Sequence, residues 1–97
     1  MKRREITIAR QAQIDIENIS QYTFEKWGSA QVDKYISKLS ETIIAIAKEP
    51  EIGKQFNQFR FQIMNSHLIF YFFNSEKVVV ARVVHKRSNW QAILETL

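Results

Sequence analysis

Side chains that could act on a phosphodiester are concentrated in the second half of the chain. They are cationic or imidazole groups, namely Lys54, Arg60, His67, Arg82, His85 and Arg87. Cutting RNA through its own 2′-oxygen requires a base for that hydroxyl, cations for the developing phosphate charge and an acid for the leaving 5′-oxygen. A histidine titrates near pKa ~6.5 and could serve as the acid or the base. These residue types keep an endoribonuclease open, with Arg60, Arg82 and His85 as its catalytic candidates.

The same residues have ordinary structural explanations, which the sequence favours. His67 opens an apolar run, where a histidine is more often a hydrogen-bonded structural residue than a catalyst. Arg82 lies between Ala81 and Val83, which is typical of an arginine that is salt-bridged or lies along an apolar surface. Arg60 is interpreted in the same way. No tyrosine follows the last apolar run to complete an acid–base set.

The segment after the last apolar run offers a different use. Lys86, Arg87, Asn89 and Trp90 combine charge, hydrogen bonding and a large aromatic ring, which is the mixture that anchors protein interfaces. We interpret these four as target-binding residues. The alternative for Trp90 is that its ring folds back over the protein as a hydrophobic cap, and the sequence leaves both open.

Composition limits the size and class of the protein. The 97 residues are 45% apolar and include only two glycines and one proline, so we expect one small domain over residues 1–97 without linkers. The net charge of +4 favours an acidic partner, either nucleic acid or an acidic polypeptide. No signal peptide and no apolar run of ~18 residues for a membrane span is present, so we expect a cytoplasmic protein.

Cofactor and metal chemistry are not predicted. The absence of cysteine excludes a disulfide, a thiolate zinc site and a cysteine nucleophile. The two histidines are far apart in sequence, and no carboxylate cluster has ligand spacing. Gly28 and Gly53 are isolated and form no phosphate-binding loop.

Hydrophobic periodicity in the first half predicts a strand followed by two helices. Glu5–Ala9 alternates with Ile6 and Ile8 facing inward, which indicates a strand. From Arg10 the apolar spacing becomes helical, with polar residues such as Asp15 pointing elsewhere. The predicted buried stripes are Ala12, Ile16, Ile19 and Thr23 in the first helix, and Val32, Ile36, Leu39, Ile43 and Ile46 in the second.

Glycine, serine and proline mark the ends of these helices. Gly28 stops the first helix, because glycine accepts a positive φ, and Ser29 is the predicted N-cap of the second. So short a connection predicts an antiparallel helical hairpin. Pro50 prevents the second helix from continuing, and 51–54 is the predicted turn.

The second half predicts a three-stranded antiparallel meander. Its strands are Phe59–Met64, His67–Phe73 and Lys77–His85, and the continuous apolarity of the middle one indicates a central strand. A short final helix is predicted to use Trp90, Ile93, Leu94 and Leu97 as its contact face. The fold class is therefore α+β, in the order strand, helical hairpin, three strands (β-α-α-β-β-β), with the hairpin covering one sheet face.

Motifs in this order resemble the ParE branch of the RelE/ParE toxin superfamily. They are Ala12-x-x-Asp15-Ile16-x-x-Ile19-x-x-Tyr22-Thr23 with Trp27-Gly28, Tyr35-x-x-x-Leu39, Pro50-x-Ile52-Gly53, Arg60, Ser66-His67-Leu68-Ile69-Phe70-Tyr71, and Arg82-x-x-His85. The resemblance covers most of the chain. One position departs from it, because the family usually carries Asp where this chain has Asn89.

The resemblance implies a toxin of a type II toxin–antitoxin module with a RelE/ParE-like domain. Such a toxin is cytoplasmic, is neutralised in a hetero-oligomer by a cognate ParD-like antitoxin, and inhibits DNA gyrase by binding instead of by enzymatic chemistry. It would meet nucleic acid only through gyrase or the antitoxin complex. Two alternatives stay open. One is a RelE-like ribosome-dependent mRNA endonuclease; the other is a non-toxic remnant that only binds antitoxin, which Asn89 would favour.

Overall fold

The order of helices and strands agrees with the sequence periodicity. The computed structural model describes residues 3–97. Its elements are β1 Glu5–Ile8, α1 Arg10–Trp27, α2 Ser29–Lys48, a 3₁₀ turn at Pro50–Ile52, β2 Lys54–Phe56, β3 Phe59–Met64, β4 His67–Phe73, β5 Lys77–His85 and α3 Trp90–Glu95. The predicted α+β class, the helical hairpin after the first strand and the short final helix are confirmed.

The five strands form one mixed sheet in the order β1-β5-β4-β3-β2. The pairs β2–β3, β3–β4 and β4–β5 are antiparallel. Strand β1 runs parallel to β5 and pairs with it only from Lys77 to Val80. The β4 strand is the middle strand of the sheet, as its continuous apolarity predicts. Such apolarity is expected of a strand with both faces covered.

Helices cover both faces of the sheet. The hairpin of α1 and α2 packs on one face, where Leu39, Ile43 and Ile46 meet the inward side chains of β4 and β5. The α3 helix packs on the other face, where Leu94 joins a second apolar cluster with Phe70. Leu97 does not belong to this contact face, since 52% of its surface is exposed; α3 ends at Glu95, so Leu97 no longer follows the helical spacing.

Two local predictions were wrong. Residues 51–54 do not form a simple turn, because Pro50 opens the 3₁₀ turn and Lys54–Phe56 pairs with β3 as a fourth antiparallel strand. A strand of three residues is too short to show alternation in a sequence. Ser29 does not cap α2 but begins it; the capping position is taken by Gly28, whose φ of 89° ends α1 as predicted.

The 3₁₀ turn is held by a buried tyrosine of the central strand. The Tyr71 hydroxyl donates a hydrogen bond of 2.6 Å to the carbonyl oxygen of Pro50. Gly53 packs against the same ring, and a Cβ atom at Gly53 would collide with the Tyr71 hydroxyl. The glycine is therefore required by close packing, since its own φ is −68°.

Asp15 ties α1 to the part of β5 that β1 does not reach. Its carboxylate accepts two hydrogen bonds from the Arg82 guanidinium, 2.8 and 2.9 Å long, and a third of 2.9 Å from the backbone N–H of Val83. Asp15 is 9% exposed, so the prediction that it points away from the core was wrong. It lies three residues after Ala12 and four before Ile19, which places it on the buried face despite its charge.

Removing this carboxylate should destabilise the fold strongly. We expect Asp15→Ala to lower the free energy of unfolding by about 3–5 kcal/mol, because it leaves the Arg82 charge without its partner and the Val83 N–H without an acceptor. The matched control is Glu17→Ala, an exposed acidic residue of the same helix, with an expected change within about 0.5 kcal/mol. Urea unfolding followed by circular dichroism measures both. Equal losses for the two variants would contradict the role given to Asp15.

Candidate functional site

The two arginines of the endoribonuclease hypothesis are held in structural contacts. Arg82 is engaged by Asp15, as the salt-bridged interpretation predicts. Arg60 donates hydrogen bonds of 3.0 Å each to the carbonyl oxygens of Glu51 and Gly53. The Arg82 guanidinium is therefore occupied by the Asp15 carboxylate, and the Arg60 guanidinium by backbone carbonyl groups.

The two histidines lie side by side at one end of the sheet. His67 and His85 are directly opposite each other on β4 and β5. Their ring centroids are 5.5 Å apart and the ring planes are 80° from parallel. Opposite residues of an antiparallel pair project from the same sheet face, so both rings lie on the side of the helical hairpin.

A register shift in β5 creates this pairing. Phe73 faces Val78 and Tyr71 faces Val80, whereas Phe70 faces Arg82, so Ala81 is the extra residue of a bulge. In a regular ladder that continued the Tyr71–Val80 register, His67 would face Val84, the residue before His85. A shift of one position also exchanges the two faces of a strand. The bulge therefore places both imidazoles together on one face.

The histidine pair borders an open cavity of about 380 Å³ next to α1. The cavity is lined by Asn18, Ile19, Tyr22, Thr23, Ser66, His67 and His85. Its lining contains polar groups and two imidazoles, but no lysine or arginine from residues 3–97. Asn18, Tyr22 and Thr23 come from α1, which the Asp15–Arg82 contact holds in place, and Ser66 comes from the turn before β4.

Two buried polar atoms beside the cavity have no hydrogen-bond partner among residues 3–97. They are Nδ1 of His67 and the hydroxyl oxygen of Tyr35. The two rings meet edge to face with centroids 5.5 Å apart. Burial raises the pKa of Tyr35 to about 12. The prediction of a hydrogen-bonded His67 was therefore wrong for Nδ1, which is buried without a partner among residues 3–97. The Tyr35 ring packs against the imidazole instead.

His67 is held in its neutral form. Desolvation by burial lowers the pKa of His67 below its ordinary value, and the nearby charge of protonated His85 lowers it further. A neutral imidazole keeps one nitrogen lone pair free. His67 can therefore accept a proton or a ligand but carries no permanent charge for binding phosphate.

His85 begins a tight turn that carries the basic tail. Its Nδ1 accepts a hydrogen bond of 3.0 Å from the backbone N–H of Arg87. The His85 carbonyl oxygen accepts two more, from the backbone N–H and the hydroxyl of Ser88. The backbone N–H of Lys86 donates to the Ser66 carbonyl. The backbone of the turn is thus fixed while the side chains of Lys86 and Arg87 are exposed.

The four predicted target-binding residues divide into two groups. Lys86, Arg87 and Asn89 are exposed. Trp90 is the first residue of α3 and is half-buried. Its ring packs against those of Phe56, Phe61 and Phe70, at centroid distances of 5.1, 5.9 and 5.4 Å. Trp90 therefore caps the second sheet face, which is the alternative that the sequence left open, and it anchors the turn from inside.

An exposed aromatic cluster at the end of α1 was not recognised from the sequence. Tyr22 and Trp27 are 61% and 66% exposed, and the Lys26 ammonium lies 5.6 and 5.8 Å from their ring centroids. Tyr22 also lines the histidine cavity. The sequence pattern gave no signal of this exposure for Trp27, since Trp27 lies four residues after Thr23 and would continue the predicted buried stripe.

Comparison with known proteins identifies the family. A family model described as "ParE toxin of type II toxin-antitoxin system, parDE" matches residues 6–90. The chain belongs to this family of ParE toxins. The resemblance seen in its motifs from Ala12 to His85 is thereby confirmed.

Curated relatives agree with this assignment. Toxin ParE1 of Mycobacterium tuberculosis strain H37Rv is 32% identical over 81 residues, which cover 78% of this chain and 83% of the relative. Toxin ParE1 of Caulobacter vibrioides is 31% identical over 91 residues, covering 90% and 94%. Toxin ParE of Escherichia coli is 29% identical over 85 residues and covers 82% of each chain.

Solved structures support the fold of a ParE toxin. A chain from the "Chromosomal ParDE TA system from P. aeruginosa" superimposes with a TM-score of 0.74, covering 84% of this chain and 95% of that one at 11% identity. So low an identity speaks for the fold alone. Among residues 3–97, none of the helices combines the length and apolarity needed to cross a membrane.

The depressed pKa of His67 makes stability depend on pH. Above the ordinary pKa of ~6.5 both folded and unfolded His67 are neutral, so its contribution is constant. As the pH falls below ~6.5, the unfolded chain binds the proton first, and folding stability decreases until the folded pKa is passed. We expect wild type to lose stability between about pH 7 and 5 more steeply than His67→Gln, in urea unfolding at each pH. Identical pH slopes would contradict a neutral, desolvated His67.

Proposed function

We propose that this ParE family member is a toxin that binds DNA gyrase and arrests it on DNA, and that a cognate antitoxin neutralises it in the cytoplasm. The observation that carries the proposal is the engagement of Arg82 by Asp15 at 2.8 Å. Arg82 is a catalytic candidate of the endoribonuclease hypothesis, but its guanidinium is already bound by Asp15 and so is not free to stabilise the charge of a cleaved phosphate. Membership of the ParE family is the reason for proposing gyrase as the target.

The endoribonuclease remains the second candidate because His67 and His85 form an acid–base pair beside a cavity. Such chemistry also needs cations at the developing phosphate charge, and losing one such group costs about 10²–10³ in kcat. Arg60 and Arg82 face elsewhere. The two histidines alone would therefore support only slow RNA cleavage. Target binding explains more of the observed positions of these side chains.

The surface proposed to meet gyrase is the turn after β5. Lys86, Arg87 and Asn89 are exposed on a backbone fixed by hydrogen bonds to His85 and by the buried Trp90 ring. A rigid turn loses little conformational freedom when it binds. With Asn89 in place of the usual Asp, the turn lacks a negative charge beside its two cations. This favours an acidic surface on the target, such as the gyrase–DNA complex.

The antitoxin is proposed to cover apolar surface that the toxin leaves open. Phe72 and Leu97 are 43% and 52% exposed, and with Phe59 they line a hollow of about 510 Å³ on the α3 side of the sheet. An amphipathic antitoxin segment would bury its apolar side chains there. The net charge of +4 suits an acidic segment.

Charge reversal on the turn tests the proposal. We expect the purified protein to inhibit supercoiling by gyrase, and Lys86→Glu/Arg87→Glu to weaken inhibition at least about tenfold, because two interface cations become repulsive. The matched control is Lys34→Glu/Lys48→Glu on the exposed face of α2, which changes the net charge equally. Inhibition is measured on relaxed plasmid, with circular dichroism as the folding check.

Expression without antitoxin separates the alternatives. The proposal predicts DNA damage signalling and filamentation with intact transcripts. Codon-linked cleavage of messages while gyrase stays active would favour the endoribonuclease. Normal growth at high expression would favour a non-toxic remnant that only binds antitoxin. Equal loss of inhibition in both charge-reversed variants would remove the turn as the contact surface.

A further inference from the structure

We propose that His67 and His85 together bind one divalent transition-metal ion of the zinc, nickel or copper class. The site lies at the end of the β4–β5 pair, beside Asn18 and Tyr22 of α1. It adjoins the turn proposed to meet gyrase, because His85 begins that turn, but it does not depend on that function. The separation of the two histidines in sequence argued against a metal site, but in the fold their rings are neighbours.

The ring geometry suits a shared ion. Zn–N bonds of about 2.0–2.1 Å put each ring centroid roughly 3.2 Å from the ion, so two ligands at a tetrahedral angle have centroids about 5.2 Å apart. The observed separation is 5.5 Å, with the planes 80° from parallel. The centroid separation therefore fits a shared ion, and rotation about the side-chain torsions would turn one nitrogen of each ring toward it.

The protonation state of His67 also suits a metal ligand. An imidazole binds a metal through a neutral nitrogen. Burial lowers the pKa of His67, which favours the neutral form that a metal binds. Coordination through Nε2 would place the proton on the buried Nδ1.

The remaining coordination positions can be filled from the cavity. Asn18 and Tyr22 supply oxygen atoms in its lining, and water can occupy an open position. Residues 3–97 contain no cluster of three or more His, Cys, Asp or Glu side chains. The proposed site is therefore a two-histidine site completed by weaker ligands, which predicts moderate affinity and exchangeable metal. The nearby charges of Lys86 and Arg87 are exposed and screened by salt.

Metal binding would change the turn that follows β5. At present Nδ1 of His85 accepts the Arg87 N–H. If the ion binds Nε2 of His85, the proton moves to Nδ1; if it binds Nδ1, that lone pair is taken. Either way the Arg87 N–H loses its acceptor. The metal site is thus linked to the conformation of the basic turn.

The chain makes a clean experiment possible, because it contains two histidines and no cysteine. With any affinity tag removed, we expect isothermal titration with ZnCl₂ and NiCl₂ to show one ion per chain and MgCl₂ to show none, since imidazole prefers the former metals. At about 100 times Kd, Zn²⁺ should lower the unfolding equilibrium constant about 100-fold. In ¹⁵N–¹H spectra the Arg87 amide should shift on titration.

Single substitutions decide whether the pair acts together. His67→Gln and His85→Gln should each weaken binding at least about tenfold; His85 is exposed, so the second variant keeps the fold. No saturable Zn²⁺ binding at sub-millimolar concentration would overturn the proposal. So would binding retained in His67→Gln, which would indicate His85 alone, or one ion per two chains with dimer formation, which would indicate a bridge between molecules.

Discussion

The contact on which the rest of the structure depends is the carboxylate of Asp15 between α1 and β5. Strand β1 pairs with β5 only as far as Val80, and Asp15 takes over beyond that point by accepting the Val83 N–H and both arms of Arg82. A single side chain thus satisfies an open sheet edge and a buried cation. Because a buried charge without its partner is costly, this contact fixes how far along the sheet α1 can lie.

Two features of the functional surface follow from that placement. The second half of α1 forms one wall of the cavity that contains the histidine pair. Arg82, which could have served phosphate chemistry at the same end of the sheet, points at the helix instead. Strands β4 and β5 therefore contribute one imidazole each to the cavity, whereas the cations Lys86 and Arg87 lie on the turn that follows β5 and do not line it. This separation favours a protein that binds a target over one that cleaves a phosphodiester.

Much of the fold could be predicted from local patterns, and the failures have specific physical causes. Continuous apolarity in β4 and the glycine at position 28 each report on a constraint within a few residues. Asp15 was misassigned because its charge suggested exposure, although its helical position is buried; the partner that permits this, Arg82, is distant in sequence. The His67–His85 pair was missed because it depends on the extra residue Ala81 in β5. Most residues of β5 are apolar, so the shift of alternation that the bulge causes is not visible in the sequence, yet it decides which side chains meet.

The most direct test asks whether the role of Arg82 is only structural. It replaces both members of the Asp15–Arg82 ion pair with neutral side chains. In Asp15→Asn/Arg82→Gln the amide oxygen at position 15 can still accept the Val83 N–H, and the two amides can hydrogen-bond to each other while the guanidinium is absent. Gyrase inhibition would be measured per folded molecule, with folding checked by circular dichroism. The account predicts inhibition close to that of wild type. A variant that folds but no longer inhibits gyrase would contradict it, because Arg82 would then act on the target itself.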